Sequence, residues 1–378
     1  MVEKARRIAL EVAALHAEDV DQKARFPVET MDALRKERML SAFIPRELGG
    51  LGCSFTELHQ ICYQLGQRCA ASAMVFAMHQ IQVGCLVRHG MTSAPLRSYL
   101  SEVSEKQLLL ASATSEVGIG GDTRTSSCAV LREGEQFTLE KNAPVISYGN
   151  YADGILVTAR RAPIAPASDQ VLVLVRKPDF TLEATGTWDT LGMRGTCSLG
   201  FVLKASGPTE NILPLPYADI SAQTMLPFSH GVWASLWLGI GNEAVNRARA
   251  FVRGEARKKP GTVPPSALRL AEVVNLLQLM RANITESVRE YEAKMGDPEA
   301  LSALGFAIRM NNLKVGSSQL LVQIVSAALT ICGMAGYKQD SKFTVGRHLR
   351  DAYGASLMIA NERILTGNAS LLLVHKEE

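Results

Sequence analysis

Ile155-Leu156-Val157-Thr158-Ala159 and Val171-Leu172-Val173-Leu174-Val175 are short runs rich in β-branched residues, with Asp153-Gly154, Pro163, Asp169 and Pro178 near their ends. Such runs read as strands. Leu108-Leu109-Leu110 and Gln136-Phe137-Thr138-Leu139-Glu140 have the same character, so residues 107–218 are expected to form a β unit, antiparallel in its pairing. The flanks differ. On the N-terminal side apolar residues recur at three and four positions (Ala5, Ile8, Ala9, Val12; Leu58, Ile61, Cys62, Leu65), the period of a helix packed on one face. Phe26-Pro27, Ile44-Pro45 and Gly49-Gly50-Leu51-Gly52 punctuate these helices. On the C-terminal side long helical patterns run over Leu268 to Tyr291 and Leu301 to Cys332.

Helices, then strands, then longer helices give an α+β chain of three units: 1–106, 107–218 and 219–378. A doubly wound sheet requires strands and helices to alternate, and here they do not. Gly118-Ile119-Gly120-Gly121-Asp122 lacks the G-x-G-x-x-G spacing between strand and helix, so a dinucleotide loop of that type is not expected. A chain of 378 residues exceeds one ordinary core.

Composition narrows the function. Forty Lys and Arg against 37 Asp and Glu leave a net charge of +3, scattered along the chain, which excludes a nucleic-acid footprint. Seven cysteines without a C-x-x-C point to reduced thiols and a cytoplasmic protein. Seven histidines without H-E-x-x-H argue against a metal site. The charged first residues do not resemble a secretory leader, and later apolar stretches are interrupted before membrane-spanning length.

Five ordered motifs resemble those of the acyl-CoA dehydrogenase superfamily. Pro45-Arg46-Glu47-Leu48-Gly49-Gly50-Leu51-Gly52 follows Phe26-Pro27 as in its P-x-x-x-G-G-x-G. Ser115-Glu116-Val117-Gly118-Ile119-Gly120-Gly121-Asp122 is similar to T-E-P-x-x-G-S-D. Ala143 to Asp153 resembles the segment at the flavin edge, and Gly192-Met193-Arg194-Gly195-Thr196-Cys197-Ser198 resembles G-M-R-x-T-x-S. Gly333-Met334-Ala335-Gly336-Tyr337 with Arg350-Asp351-Ala352 resembles G-G-x-G-[YF] and R-D-A.

The resemblance implies an N-terminal α domain, a β-barrel-like middle domain, a C-terminal four-helix bundle, and FAD. It implies Thr114 and Ser115 at the pyrimidine side of the flavin, Gly120 and Gly121 at the pyrophosphate, and Ser147 near N5. Val145 replaces the family's tryptophan beside the ring. Arg257 is implied to reach a neighbouring subunit's cofactor, and Gly333 and Asn361 match further cofactor positions. It also implies an acyl-CoA or acyl-carrier-protein substrate, an electron-accepting flavoprotein or a flavin reductase as partner, and a homodimer or homotetramer. The apolar Leu320-Leu321-Val322-Gln323-Ile324-Val325 agrees with such an assembly, since one helix layer could not bury both of its faces.

The family's catalytic glutamate, nine residues after the Arg of R-D-A, falls on Ile359. An aliphatic side chain takes no proton. An alternative family position at the start of the first long C-terminal helix falls on Ser229, beside His230, whose ordinary pKa suits a general base. Glu362, three residues beyond Ile359, and His79, in a segment where flavin-dependent hydroxylases of this superfamily carry a histidine, are the other candidates. Three functions stand open: a thioester dehydrogenase with a displaced base, a two-component flavin monooxygenase on the same fold, and a catalytically silent flavoprotein.

Overall fold

The computed structural model describes residues 1–119 and 122–376. Its N-terminal helices are α1 (Val2–Ile8), which continues through one π turn into α2 (Ala14–Gln22), then α3 (Val28–Lys36), α4 (Phe55–Gly66), α5 (Ala70–His89) and α6 (Ala94–Lys106). Local chemistry sets their ends. Ser54 and Glu57 close a reciprocal capping box at the start of α4, satisfying two amides that would otherwise lack partners. α5 is apolar all round and sits inside the protein, with Val75, Phe76 and Ala77 fully covered.

Among the described residues seven strands follow: β1 (Leu110–Ala113), β2 (Leu131–Glu133), β3 (Gln136–Ala143), β4 (Gly154–Arg160), β5 (Gln170–Arg176), β6 (Phe180–Ala184) and β7 (Phe201–Pro208). They make two sheets, β1-β4-β5 and β2-β3-β7-β6. The antiparallel expectation holds for every ladder except β1–β4, which runs parallel with Leu110 opposite Gly154. The long stretch between β1 and β4 returns the chain in the direction it left, as a parallel pair requires. β3 alternates exposed and buried residues along its whole length, whereas β4 and β5 are buried on both faces.

The C-terminal part is α7 (Tyr217–Ile220), α8 (Leu226–Lys258), α9 (Ser266–Lys294), α10 (Pro298–Ser302), α11 (Leu304–Cys332), α12 (Met334–Tyr337), α13 (Gly346–Leu357) and α14 (Asn361–Leu372). α8, α9, α11 and α13 form the bundle, with α8 and α11 its most extensive crossing. The expected helix from Leu301 to Cys332 is broken at Ala303, whose extended backbone (ψ 138°) separates α10 from α11 while Leu301 turns into the core. Phe55, Phe228 and Tyr291 meet edge to face, with centroids 4.7 and 4.8 Å from Phe55, and join α4, α8 and α9.

Two sequence expectations change. α5 and α11 are long and apolar enough to cross a membrane by length and composition, but 89% of the α5 window and half of the α11 window are buried within the protein. Interrupting polar residues are fewer along these helices than the sequence reading assumed. Leu321, Ile324 and Val325 are buried within the chain, and Leu320 and Val322 half-buried, so that stretch leaves little apolar face uncovered. Exposed apolar side chains on the C-terminal helices include Met334, Tyr337, Leu357 and Leu373.

Candidate functional site

The chain leaves β1 at Thr114 and passes beneath the 145–148 turn. Ser115 Oγ donates to the Val145 carbonyl at 3.3 Å, and the Val117 amide to the Asn142 carbonyl at 3.0 Å. Between them Glu116 turns inward. Its carboxylate accepts from Ser126 Oγ at 2.7 Å, the Ser127 and Cys128 amides at 3.0 and 2.7 Å, and Lys141 Nζ at 3.1 Å. Lys141 is wholly buried and also donates to the Thr158 carbonyl at 2.7 Å. Burial alone would raise the Glu116 pKa, but the Ser126 bond and the Lys141 charge outweigh it, and the carboxyl is held below its ordinary value.

This buried pair fixes the loop and leaves a ledge above it. Thr114, Ser115 and Ser147 are half-buried and Val145 is uncovered. Ser147 Oγ meets Ser198 Oγ at 2.8 Å, and Ser198 Oγ meets Thr196 Oγ1 at 2.8 Å. The third and fourth motifs therefore join in one chain of hydroxyls. Half-exposed hydroxyls beside an apolar patch fit a planar heteroaromatic group that needs donors at its edge and a wall for its face. Gly120 and Gly121 lie outside the described residues. Asp122, at the end of that loop, is an electrostatic neighbour of Arg363 on α14.

The turn between α13 and α14 carries Ile359 in the left-handed region, φ 51°, with its side chain 40% exposed. The Ile359 carbonyl accepts from Lys314 Nζ at 2.7 Å, and Asn361 Oδ1 accepts from the same nitrogen at 2.8 Å. Asn361 is thus buried in a polar link to α11, and Asn361 Nδ2 donates on to Ser318 Oγ at 3.0 Å. Glu362 points outward and is exposed. Burial lowers the Lys314 pKa to about 8, the Glu362 charge opposing it.

His230 lies on α8 at this crossing, 1% exposed. Its Nδ1–H donates to the Met310 carbonyl at 3.0 Å, so Nε2 carries the lone pair, and Nε2 is buried without a hydrogen-bond partner. Burial pushes its pKa down to about 4, the Met310 bond pulling back and the Lys314 charge pushing further. His79 differs. Its Nε2–H donates to the Leu40 carbonyl at 2.7 Å and its Nδ1 accepts from the Leu110 amide at 2.9 Å, so both ring nitrogens are spent holding α5 to the first strand. Arg257 is exposed on the last turn of α8, and Gly333, at φ 54°, ends α11 with its amide on the Leu329 carbonyl at 2.8 Å.

The sequence did not single out Lys141 or Lys314. Lys314 had a signal: Met310, Leu313, Lys314, Ser317, Ser318 and Leu321 fall on one helical stripe, and all are buried. The G-M-R and R-D-A motifs meet in a separate clamp between domains. Asp351 Oδ1 accepts from the Met193 amide at 2.7 Å, Arg350 pairs with Asp21, and Arg194 Nε donates to the Asp21 carbonyl at 2.9 Å. Gly192 is required there, because a Cβ would stand 2.2 Å from the Arg350 carbonyl oxygen.

Residues 1–107 match the family model of the acyl-CoA dehydrogenase N-terminal domain, and residues 221–359 that of its C-terminal domain. Cyclohex-1-ene-1-carbonyl-CoA dehydrogenase of Syntrophus aciditrophicus is 23% identical over 98% of this chain and 89% of its own length. Butyryl-CoA dehydrogenase of Megasphaera elsdenii superposes with a TM-score of 0.86 at 19% identity, covering 98% of this chain and 97% of its own. FMN-bound TdsC of Paenibacillus sp. A11-2, a dibenzothiophene monooxygenase, superposes with a TM-score of 0.85 at 19% identity, covering 100% and 98%.

Proposed function

The chain belongs to the acyl-CoA dehydrogenase family, and from that premise we propose that it removes an α,β hydrogen pair from an acyl thioester of CoA or a carrier protein, with His230 as proton acceptor. It is a flavoprotein oxidoreductase. The flavin, FAD being standard for the family, supplies the acceptor for the β-hydrogen and its electron pair. Thr114, Ser115 and Ser147 would hold its polar edge and Val145 would cover its ring.

One observation carries the reading: His230 Nε2 is a bare, buried acceptor in the cluster that includes the turn at residue 359. Burial and the Lys314 charge hold its pKa down to about 4, so the ring is neutral and its Nε2 lone pair is free at neutral pH. Nδ1–H stays on the Met310 carbonyl throughout, which fixes the ring and strengthens as the ring gains charge. Burial of His230 at the crossing between α8 and α11 would shield the transfer from solvent.

Anaerobic addition of acyl-CoA esters of graded chain length to the flavin-loaded protein tests this. The flavin band should bleach with at least one ester, and Ile359→Glu should retain or raise the rate. Failure of both proteins to bleach across the panel contradicts the reading.

The aliphatic Ile359 favours a second reading, an oxygen-using monooxygenase supplied with reduced flavin by a reductase. That reading requires incorporation of ¹⁸O from dioxygen into product and no bleaching by thioesters. In either case a homodimer or homotetramer would cover Met334, Tyr337, Leu357 and Leu373, each more than 60% exposed in the single chain. Light scattering at micromolar concentration should give a multiple of 40.9 kDa; a monomer contradicts it.

A further inference from the structure

Lys314 has no accessible surface, and no carboxylate lies within ion-pair distance of it among the described residues. Its two bonds go to neutral oxygens at the two ends of a single turn, the Ile359 carbonyl and Asn361 Oδ1. Asn361 Nδ2 is held in turn by Ser318 Oγ, and Ser318 donates to the Val315 carbonyl at 2.8 Å. The whole turn is therefore tied to one side of α11. Ile359 needs that tie, because a β-branched residue at φ 51° does not hold the left-handed conformation unaided.

The same lysine stands one helical turn after Met310, whose carbonyl fixes the His230 ring. Among the described residues, the groups at this crossing include Lys314 and the Met310 carbonyl from α11, Trp233 beside His230 on α8 with ring centroids 6.1 Å apart, and Glu362 from α14 at longer range.

We propose that Lys314 is a positioning residue of this site: its ammonium holds the 358–361 turn in its strained shape, one helical turn from the carbonyl that fixes the His230 ring. The significance for catalysis rests on the reading of His230 as proton acceptor; the positioning itself does not. A buried cation lowers the proton affinity of a neighbouring imidazole, and the same cation gives stronger hydrogen bonds to the two turn oxygens than a neutral donor would. One residue therefore sets the shape of the turn and adds a smaller charge effect to the burial of the acceptor.

The test uses the full chain labelled with ¹⁵N-histidine, without substrate. The His230 ring should titrate near pH 4 in the wild type. Lys314→Met should move that midpoint up by a few tenths of a unit, because burial is the larger cause and stays. It should also speed amide hydrogen exchange at residues 359–361 roughly tenfold or more. Lys314→Arg, which keeps the charge and can reach both oxygens, should restore both values towards wild type. Asn361→Ala should speed exchange and leave the His230 midpoint where it was. An unmoved midpoint together with unmoved exchange in Lys314→Met overturns the proposal, as does a folded Lys314→Arg that behaves like Lys314→Met. If Lys314→Met does not fold, unchanged exchange in Asn361→Ala overturns it and faster exchange supports it. Failure of the acceptor reading shows separately, as thioester-driven flavin bleaching at the wild-type rate in His230→Ala.

Discussion

Lys141 and Lys314 are both fully buried, one in the β unit and one in the helical bundle. Lys141 faces a carboxylate: Glu116 at 3.1 Å, itself held by a hydroxyl and two amides. Lys314 faces only the oxygens of a carbonyl and an amide. A buried charge with a complete partner shell locks a loop, and the 114–128 segment is such a loop. A buried charge without a counter-ion is costly, and its persistence points to work done at the place it faces. The hydroxyl ledge is thus built on a closed electrostatic pair, while the 358–361 turn is governed by an open one.

The largest effect should come from breaking the closed pair. Glu116→Gln keeps the shape but strands the Lys141 ammonium, and it should cost about 3–5 kcal/mol in urea unfolding. Flavin binding should fall with it. Lys141→Met should do comparable damage by stranding Glu116. Lys314→Met removes a charge that had no ionic partner, so its loss of stability should be clearly smaller; equal losses for the two lysines would dissolve the contrast.

Asp351 stands between these cases, buried and near Arg347 and Arg350 but accepting its short bond from a neutral amide. Burial raises its pKa to about 6. Because the folded chain then binds that proton more tightly than the unfolded chain does, the contribution is present below pH 4 and is lost as pH rises through about 6. The loss amounts to about 3 kcal/mol at most. Asp351→Asn keeps the acceptor for the Met193 amide and should flatten this part of the pH–stability curve relative to wild type. Identical curves would mean that the neighbouring arginines already neutralise the carboxylate.

The smallest effect concerns the ledge itself. Val145→Trp restores a stacking surface at an uncovered position and should tighten flavin binding about two- to tenfold, measured by fluorescence quenching. Weaker binding would mean that the wall of the ring lies elsewhere.

The architecture was legible from local pattern: the strands at 155–159 and 171–175 stand where β-branched apolar runs bounded by turn residues put them, and the helical flanks where the period of 3.6 does. The parallel β1–β4 ladder was not, since strand direction depends on a connection whose path no local pattern records. The hydroxyl residues Ser115 and Ser147 could be read from motif spacing. Their support could not: Glu116 and Lys141 are 25 residues apart and meet only across the folded sheet. His79 and His230 look alike in sequence, each a histidine in an apolar helix. Only the fold shows that His79 has both nitrogens bonded and that His230 keeps one bare.

The central claim is that His230 takes the proton that Ile359 cannot. Single-turnover flavin reduction by a bleaching acyl-CoA, followed anaerobically in wild type and His230→Ala at equal flavin occupancy, tests it most directly. The account predicts a rate about 10²–10⁴-fold lower in His230→Ala with flavin affinity unchanged. Reduction at the wild-type rate in that variant would contradict it.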